Sequence, residues 1–356
     1  MTRTTIFAGG TGGHVMPALA VAKALKDMGV DVNWIGTSQG LEARLVPEAD
    51  IPFDLIDIRG IRKSGILRKI FMPFLLLKAM FQSLLILRKY KPELILGMGG
   101  FVAGPGGLTA ASMKLPMVIH EQNSVSGLTN RWLAKLSKSV LTGFPSSQGL
   151  KESIWVGNPV LQEIVDIPEP EVRLRGRKGP LRILVIGGSQ GARVFNKVLP
   201  RLFADRELPE LDIWHQSGQQ GRNGIGEAYL KCGIGSQVNE FINDMSRAYE
   251  WCDVIICRSG AMTVSEICCA GVAAIFVPYP YAVNDHQASN AQYLVKQNAA
   301  FMVREEEFLE GSWINFLIDL SQNRDKLLCM SKTARSLSKP NAAKDVAAIC
   351  LEVMHA

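Results

Sequence analysis

Cysteine is sparse and unpaired in this 356-residue sequence: there are seven, an odd number, and none has the spacing that holds a metal. Reduced thiols in a cytosolic chain are the expectation, and Cys268-Cys269, adjoining within a helical pattern, fit it. Met1-Thr2-Arg3 leads straight into a strand-like run, with neither the apolar core nor the cleavage site of a secretory signal, so nothing is expected to send the chain across a membrane. No Gly-Lys-Ser/Thr follows either glycine cluster, which removes a Walker A phosphate loop. Charge of one sign is scarce too. Lys plus Arg exceed Asp plus Glu by only 39 to 33, a formal +6 that points to an anionic partner only where it is clustered. What remains is bulk. With 47% hydrophobic residues, the chain can build two domains with separate cores, and it is too long for a single small module.

What is present begins with a repeat. IFAGGTGGH at residues 6–14 returns as VIGGSQGAR at residues 185–193, each a short apolar run that breaks into a glycine loop. A glycine loop opening a helix presents backbone N–H groups and a positive dipole end to an anion, and the missing side chains permit close approach. Strand-length apolar runs alternate with helical patterns around both loops. TTIFAG, VDVNWIGT, PELILGMGG, LPMVIHEQN and SVLTGF lie in the first half, and LRILVIGG, ELDIWHQSG, QVNEFIN, WCDVIICRSG and AAIFVPYP in the second. The alternation predicts parallel sheets with helices on both faces, in two Rossmann-like domains over residues 1–163 and 164–340. After Gly157-Asn158-Pro159 the stretch DIPEPEVRLRGRKGP cannot pack a core by composition and reads as the linker. Residues 341–356 have helical spacing, but their docking site is not readable from it.

Dinucleotide chemistry is disfavoured. With Gly10 and Gly12 as the first two fingerprint glycines, the third falls on Val15, and no acid ends the second strand at residues 34–37. The second loop can be aligned through Ala192, yet it lacks a convincing acid about twenty residues on.

Several side chains sit where such loops bind ligands. His14 ends the first loop at a helix start that Pro17 suits; it reads either as a general base toward a sugar hydroxyl or as a polar helix-start residue. His120 and Glu121-Gln122-Asn123 close a strand at the edge where open parallel sheets bind ligands, or else form a solvated loop. Ser259-Gly260 followed by the amides of Ala261, Met262 and Thr263 makes a second anion cradle, near Ser189. Glu266, one turn on, is placed to chelate a vicinal diol or simply to cap the helix. NDHQASN at residues 284–290 offers amides suited to sugar hydroxyls.

GGTGGHVMPALAVA, GMGGFVAGPGG, HEQNSVSGLTNRWLA, GNPV, GGSQGAR, CRSGAMTVSE and a DHQ-containing loop stand in this order over nearly the whole chain. In this the sequence resembles the MurG family of peptidoglycan glycosyltransferases. The resemblance implies an α/β protein of GT-B architecture, two Rossmann-like doubly wound domains facing across a cleft. It implies an inverting transfer of GlcNAc from UDP-GlcNAc to the 4-hydroxyl of MurNAc in lipid I, giving lipid II. Residue by residue, Thr11, Gly12 and Gly13 match positions touching donor or acceptor pyrophosphate, and His14 the proposed base. Asn123 matches a donor contact, with His120 and Glu121 near the acceptor. Ser189 corresponds to a hydroxyl near the donor diphosphate and Ile242 to the residue beside uracil. Ala261, Met262, Thr263, Val264, Ser265 and Glu266 form the segment holding phosphate and ribose, and Gln287 the amide reading GlcNAc hydroxyls. Two departures stand out: Leu161 follows GNPV where the family commonly has Arg, and Phe101 replaces a frequent Tyr.

No Asp-x-Asp pair precedes the sugar site, and GT-B enzymes often work without a bound metal, so no essential metal is expected; the resemblance also implies no cofactor and no nucleic-acid partner. A lipid acceptor does require a membrane face. Residues 59–91 carry an apolar stretch bracketed by Arg62, Lys63, Arg68 and Lys69 and by Arg88, Lys89 and Lys91; interrupted by Pro73, Lys78 and Gln82, it suits interfacial docking better than spanning. A buried helix with solvated basic flanks is the alternative. The expectation is peripheral attachment to an anionic surface, the cytoplasmic face of the bacterial inner membrane, with cell-wall synthesis or division proteins as partners. Three other functions share these features: a related UDP-sugar transferase, a UDP-GlcNAc epimerase, and a nucleotide-sugar-binding scaffold without turnover.

Overall fold

The structure is a computed structural model that describes residues 2–58, 72–188, 191–204, 208–219 and 224–356. It divides into two compact units. The first comprises Met1–Leu161 with Lys339–Ala356, the second Gln162–Ser338.

In the first unit, strands β1 (Arg3–Phe7), β2 (Asp31–Gly36), β3 (Phe53–Leu55), β4 (Leu94–Gly97), β5 (Met117–Glu121), β6 (Ser139–Thr142) and β7 (Ile154–Trp155) pair in parallel, in the order β3-β2-β1-β4-β5-β6-β7. The central strands are buried on both faces, so apolar residues do not alternate with exposed ones: β4 is LILG, and in β1 and β5 even Thr4, Thr5, His120 and Glu121 are enclosed. Ile6, Leu94, Leu96 and Val118 face one core, and Phe7, Ile95 and Ile119 face the other. In the second unit β8 (Leu181–Ile186), β9 (Leu211–Gln216), β10 (Gly235–Asn239), β11 (Val254–Cys257), β12 (Ala273–Phe276) and β13 (Ala300–Met302) are also parallel, in the order β10-β9-β8-β11-β12-β13. Phe308 stacks on Trp313 with ring centroids 5.0 Å apart in its core.

Both strand orders reverse at one place, between β1 and β4 and again between β8 and β11. Open α/β sheets bind ligands outside the carboxyl ends of the strands at such a switch point. Each glycine loop of the sequence repeat leaves one of these two strands, β1 or β8.

The closing segment forms a helix, Ala342–His355, that returns to the first unit and packs on the helix Gly12–Asp27. Val346, Ala347 and Cys350 on it are fully buried, and Thr4 Oγ1 lies 3.7 Å from Met354 Sδ. Burying a Val side chain alone stabilises this dock by roughly 1.5–3 kcal/mol. Pro17 is the sixth residue of the helix Gly12–Asp27, a turn further in than its sequence reading, so the Gly13 carbonyl loses its usual donor.

The stretch read as a linker is not free chain. It contributes a short helix, Pro170–Arg173, to the second unit, and Arg173 is buried with its guanidinium donating to the carbonyls of Cys252 (2.6 Å) and Gly271 (2.7 Å). Arg177 donates to Asp253 Oδ1 at 2.8 Å beside it. A charged stretch can dock without a hydrophobic face when main-chain carbonyls and a buried carboxylate meet its guanidinium groups.

The helix Met72–Tyr90 is two-faced. Ala79, Ser83 and Leu87 are buried, whereas Phe74, Leu77, Phe81 and Leu85 are 69%, 62%, 61% and 51% exposed. Arg62, Lys63, Arg68, Lys69 and Phe71 lie outside the described residues. Among the described residues no helix is long and apolar enough to cross a membrane.

Candidate active site

The first glycine loop is held by residues that meet it from three directions. Glu42, fully buried, accepts hydrogen bonds from Gly10 N (2.9 Å), Thr37 N (3.1 Å) and Thr37 Oγ1 (2.8 Å). Phe101 packs over Gly10, whose φ is +101°. Gly100, at φ +79°, comes so close to the Gly9 carbonyl that a Cβ there would collide with it. The loop then turns into its helix at Thr11, an exposed N-cap residue in extended conformation without a side-chain cap bond. The amides of Gly12 and Gly13 open the helix, in the geometry that favours anions.

His14 follows, half-buried, with Nδ1 3.0 Å from Gln122 Oε1. A Cβ on Gly99 would stand 2.6 Å from His14 Nδ1, so bare backbone after β4 makes room for the imidazole. Gln122 donates from Nε2 to the Met98 carbonyl at 3.0 Å and lies 3.3 Å from His120 Nδ1; its own carbonyl accepts from Asn158 Nδ2 at 3.1 Å. His120 Nε2 is 2.9 Å from the Gly157 carbonyl. Burial lowers the His120 imidazole to about 4, against a smaller opposing pull from that bond, so it is neutral near pH 7.

His120 and Glu121 end β5 with 0% and 2% exposure, so the solvated-loop reading of this segment does not hold. Glu121 accepts from Asn123 N (3.0 Å), Asn123 Nδ2 (3.2 Å), Gly127 N (3.0 Å) and Asn130 Nδ2 (2.9 Å). A carboxylate with four donors shapes the loop that carries Asn123, which is itself half-buried.

In the second unit the helix Ala261–Ala270 starts from its N-cap Gly260, with Arg258 and Ser259 between it and the end of β11, and its first amides are of the kind that favours anions. Glu266 lies in the second turn, beyond the reach of first-turn capping, so the capping reading falls away. Its Oε2 accepts from Tyr249 OH at 2.9 Å. Burial raises the Glu266 carboxyl to about 7, partly offset by that bond. Ser265 Oγ bonds back to the Ala261 carbonyl at 3.0 Å. Gln287 belongs to a helix, His286–Val295, rather than to a loop; its Oε1 accepts from Tyr279 N at 2.9 Å. Ile242 is buried beside the half-exposed Phe241. Ser189 lies outside the described residues, although Gln216 Nε2 reaches the Gly188 carbonyl in the same loop at 2.9 Å. Among the described residues no cluster of His, Cys, Asp and Glu is arranged to hold a metal ion.

Comparison with known proteins bears on this geometry directly. Residues 4–142 match the glycosyltransferase family 28 N-terminal domain, and residues 182–346 the glycosyltransferase family 28 C-terminal domain. The chain is 49% identical over 98% of its length, and 98% of the relative's, to the UDP-N-acetylglucosamine--N-acetylmuramyl-(pentapeptide) pyrophosphoryl-undecaprenol N-acetylglucosamine transferase of Coxiella burnetii. This chain belongs to the MurG family. The Marinobacter nauticus enzyme of the same name is 47% identical, over 98% of this chain and 97% of that one. The crystal structure of Acinetobacter baumannii MurG superposes with a TM-score of 0.83 at 39% identity, covering 99% of this chain and 100% of that one, and the fold is accordingly GT-B. A UDP-GlcNAc 2-epimerase from Neisseria meningitidis shares the fold, at TM-score 0.67, but only 14% of the sequence over 99% and 100% of the two chains.

Two residues of the site carried no sequence signal of their role. Glu42 stands in a short helix without a motif, and only its three donors reveal it as the pin of the glycine loop. Gln122 was visible only as one of several polar residues, and its link to His14 spans 108 positions.

Proposed function

We propose that the chain transfers GlcNAc from UDP-GlcNAc to the 4-hydroxyl of MurNAc in lipid I, forming lipid II with inversion at the anomeric carbon. The observation that carries this reading is the family's glycine loop ending in His14 at the switch point of the first sheet, in a chain that aligns end to end with MurG relatives. In this reading the first unit takes the acceptor. Thr11, Gly12 and Gly13 receive pyrophosphate on the helix start, and His14 removes the proton from the acceptor hydroxyl as it attacks. Asn123 reaches the donor.

The second unit holds UDP-GlcNAc. Ser189 and the amides at the start of the helix Ala261–Ala270, residues 261–265, stabilise the charge that develops as UDP leaves. Glu266 accepts from the ribose diol, Ile242 lies beside uracil, and Gln287, with its oxygen held by Tyr279, presents its amide nitrogen to GlcNAc hydroxyls. No step is assigned to a metal, so turnover is expected to survive a chelator. The exposed apolar face of the helix Met72–Tyr90, flanked by Lys78, Arg88 and Lys89, seats the protein peripherally on the anionic cytoplasmic leaflet where its lipid acceptor resides.

The test is transfer of labelled GlcNAc to a lipid I analogue, with and without chelator, beside His14→Ala. Acceptor-dependent product that falls by a hundredfold or more in the variant, on the order of a positioned base's contribution, is expected. An intact variant would remove His14 from the base role. Conversion of UDP-GlcNAc without acceptor would replace transfer with epimerisation.

A further inference from the structure

We infer that Gln122 is a positioning residue for His14: its side-chain amide holds the imidazole in the tautomer protonated on Nδ1, leaving Nε2 as the basic nitrogen. The inference rests on His14 acting as the base and names what sets the state of that base.

The argument runs through the hydrogen-bond chain from its buried end. The Gly157 carbonyl can only accept, so His120 Nε2, 2.9 Å away, carries the proton. His120 is fully enclosed and neutral near pH 7, which leaves its Nδ1 an acceptor. Gln122 faces that Nδ1 at 3.3 Å and the Met98 carbonyl at 3.0 Å with the same end of its side chain. Two acceptors on one side require the amide NH2 there, so the amide cannot be flipped without setting oxygen against both. Oε1 is thereby turned to His14 Nδ1 at 3.0 Å, and an amide oxygen has nothing to donate. His14 must supply the proton of that bond from Nδ1.

The surrounding backbone supports the same arrangement. A Cβ on Gly99 would lie 2.6 Å from His14 Nδ1 and 3.3 Å from Gln122 Oε1, so a side chain there would intrude on the bond. Asn158 Nδ2 fixes the Gln122 main-chain carbonyl at 3.1 Å, and both residues are buried. His120, expected near the acceptor, acts here two bonds away from His14: it orients the amide that orients the base. A neutral amide, unlike a carboxylate, fixes the tautomer without adding charge beside a site that receives pyrophosphate.

The experiment is a long-range 1H–15N correlation spectrum of protein labelled at histidine nitrogen, with the His14 signals identified by their loss in His14→Ala. The expected wild-type pattern is a protonated Nδ1 and an unprotonated Nε2; an Nε2-protonated His14 in the folded wild-type chain overturns the inference, whatever any variant does. Gln122→Met, similar in length and without an amide, is expected to release His14 toward the Nε2-protonated form and to lower kcat about ten- to hundredfold, with KM for donor and acceptor within about twofold. Gln122→Glu, which as the neutral acid keeps an accepting oxygen and a donor, is expected to restore both the tautomer and most of kcat. A Gln122→Met chain that keeps the wild-type His14 pattern refutes the role of Gln122. A changed pattern with unchanged kcat supports the positioning by Gln122 and instead refutes His14 as the base.

Discussion

Each unit buries one histidine at or near the end of a strand, His120 on β5 and His215 on β9, and both are fully enclosed. Burial lowers each imidazole to about 4. The sign follows from proton counting: an unfolded histidine takes up its proton near pH 6.5, but the folded chain does so only near 4, so acid favours unfolding across that window. At pH 5 the linkage amounts to about 2 kcal/mol per histidine, a large part of an ordinary stability of about 5–15 kcal/mol. The second unit holds a group of opposite sign. Glu266 is raised to about 7, so its folded form binds a proton first and gains up to about 2 kcal/mol as pH falls from 7.5 to 5. Acidification over this range should therefore destabilise the first unit by about 2 kcal/mol through His120, while His215 and Glu266 nearly cancel in the second. Urea unfolding at pH 7.5 and 5.0 reads this, with amide exchange of β5 and β9 reporting the units separately. His120→Gln should flatten the pH dependence of the first unit, and Glu266→Gln should expose that of the second. Equal acid loss in both units of the wild type, or a His120→Gln chain with an unchanged pH slope, would refute the reasoning.

Two further outcomes follow from the same geometry. A Glu266 carboxyl near 7 must be ionised to accept from a diol, so UDP-GlcNAc affinity by calorimetry should weaken about tenfold from its alkaline limit by pH 6, and Glu266→Gln should bind weakly without that pH dependence; a pH-independent wild-type affinity would exclude the contact. Phe74→Ser with Phe81→Ser should reduce sedimentation with anionic vesicles severalfold and leave donor affinity unchanged, and wild-type binding should fall as salt rises. Salt-insensitive binding to neutral and anionic vesicles alike would contradict interfacial docking.

The reach of the sequence follows the physics of each element. Central strands such as β4, β5 and β8 were legible because burial on both faces sets apolar residues side by side, as in LILG, MVI and ILVI. β3, β7 and β13, three, two and three residues long, lie toward or at the sheet edges and are too short for any period to show. The linker was misread because composition registers charge but not its partners. Arg173 looks solvated in sequence and is buried in fact, since the carbonyls of Cys252 and Gly271 come to it from residues 79 and 98 positions away. The docking of the closing helix was out of reach for the same reason: its partners lie at the other end of the chain.

The site divides along the same line, and the division explains why motif reading stops where it does. A glycine loop announces itself because the backbone conformation it needs excludes other residues locally, as at Gly10 and Gly100. His14 could be picked out because it adjoins such a loop. What sets its proton cannot be read locally: the Gly157 carbonyl decides the tautomer of His120, His120 and Met98 decide the face of the Gln122 amide, and that amide decides His14. Each step is a choice between two nearly isosteric arrangements, and only the acceptor-only carbonyls at Gly157 and Met98 break the symmetry. Backbone atoms contribute no letter to a motif. The protonation state of a histidine picked out by sequence therefore depends on main-chain carbonyls, and a motif that spells Gly157 and Met98 as letters does not say where their carbonyls point.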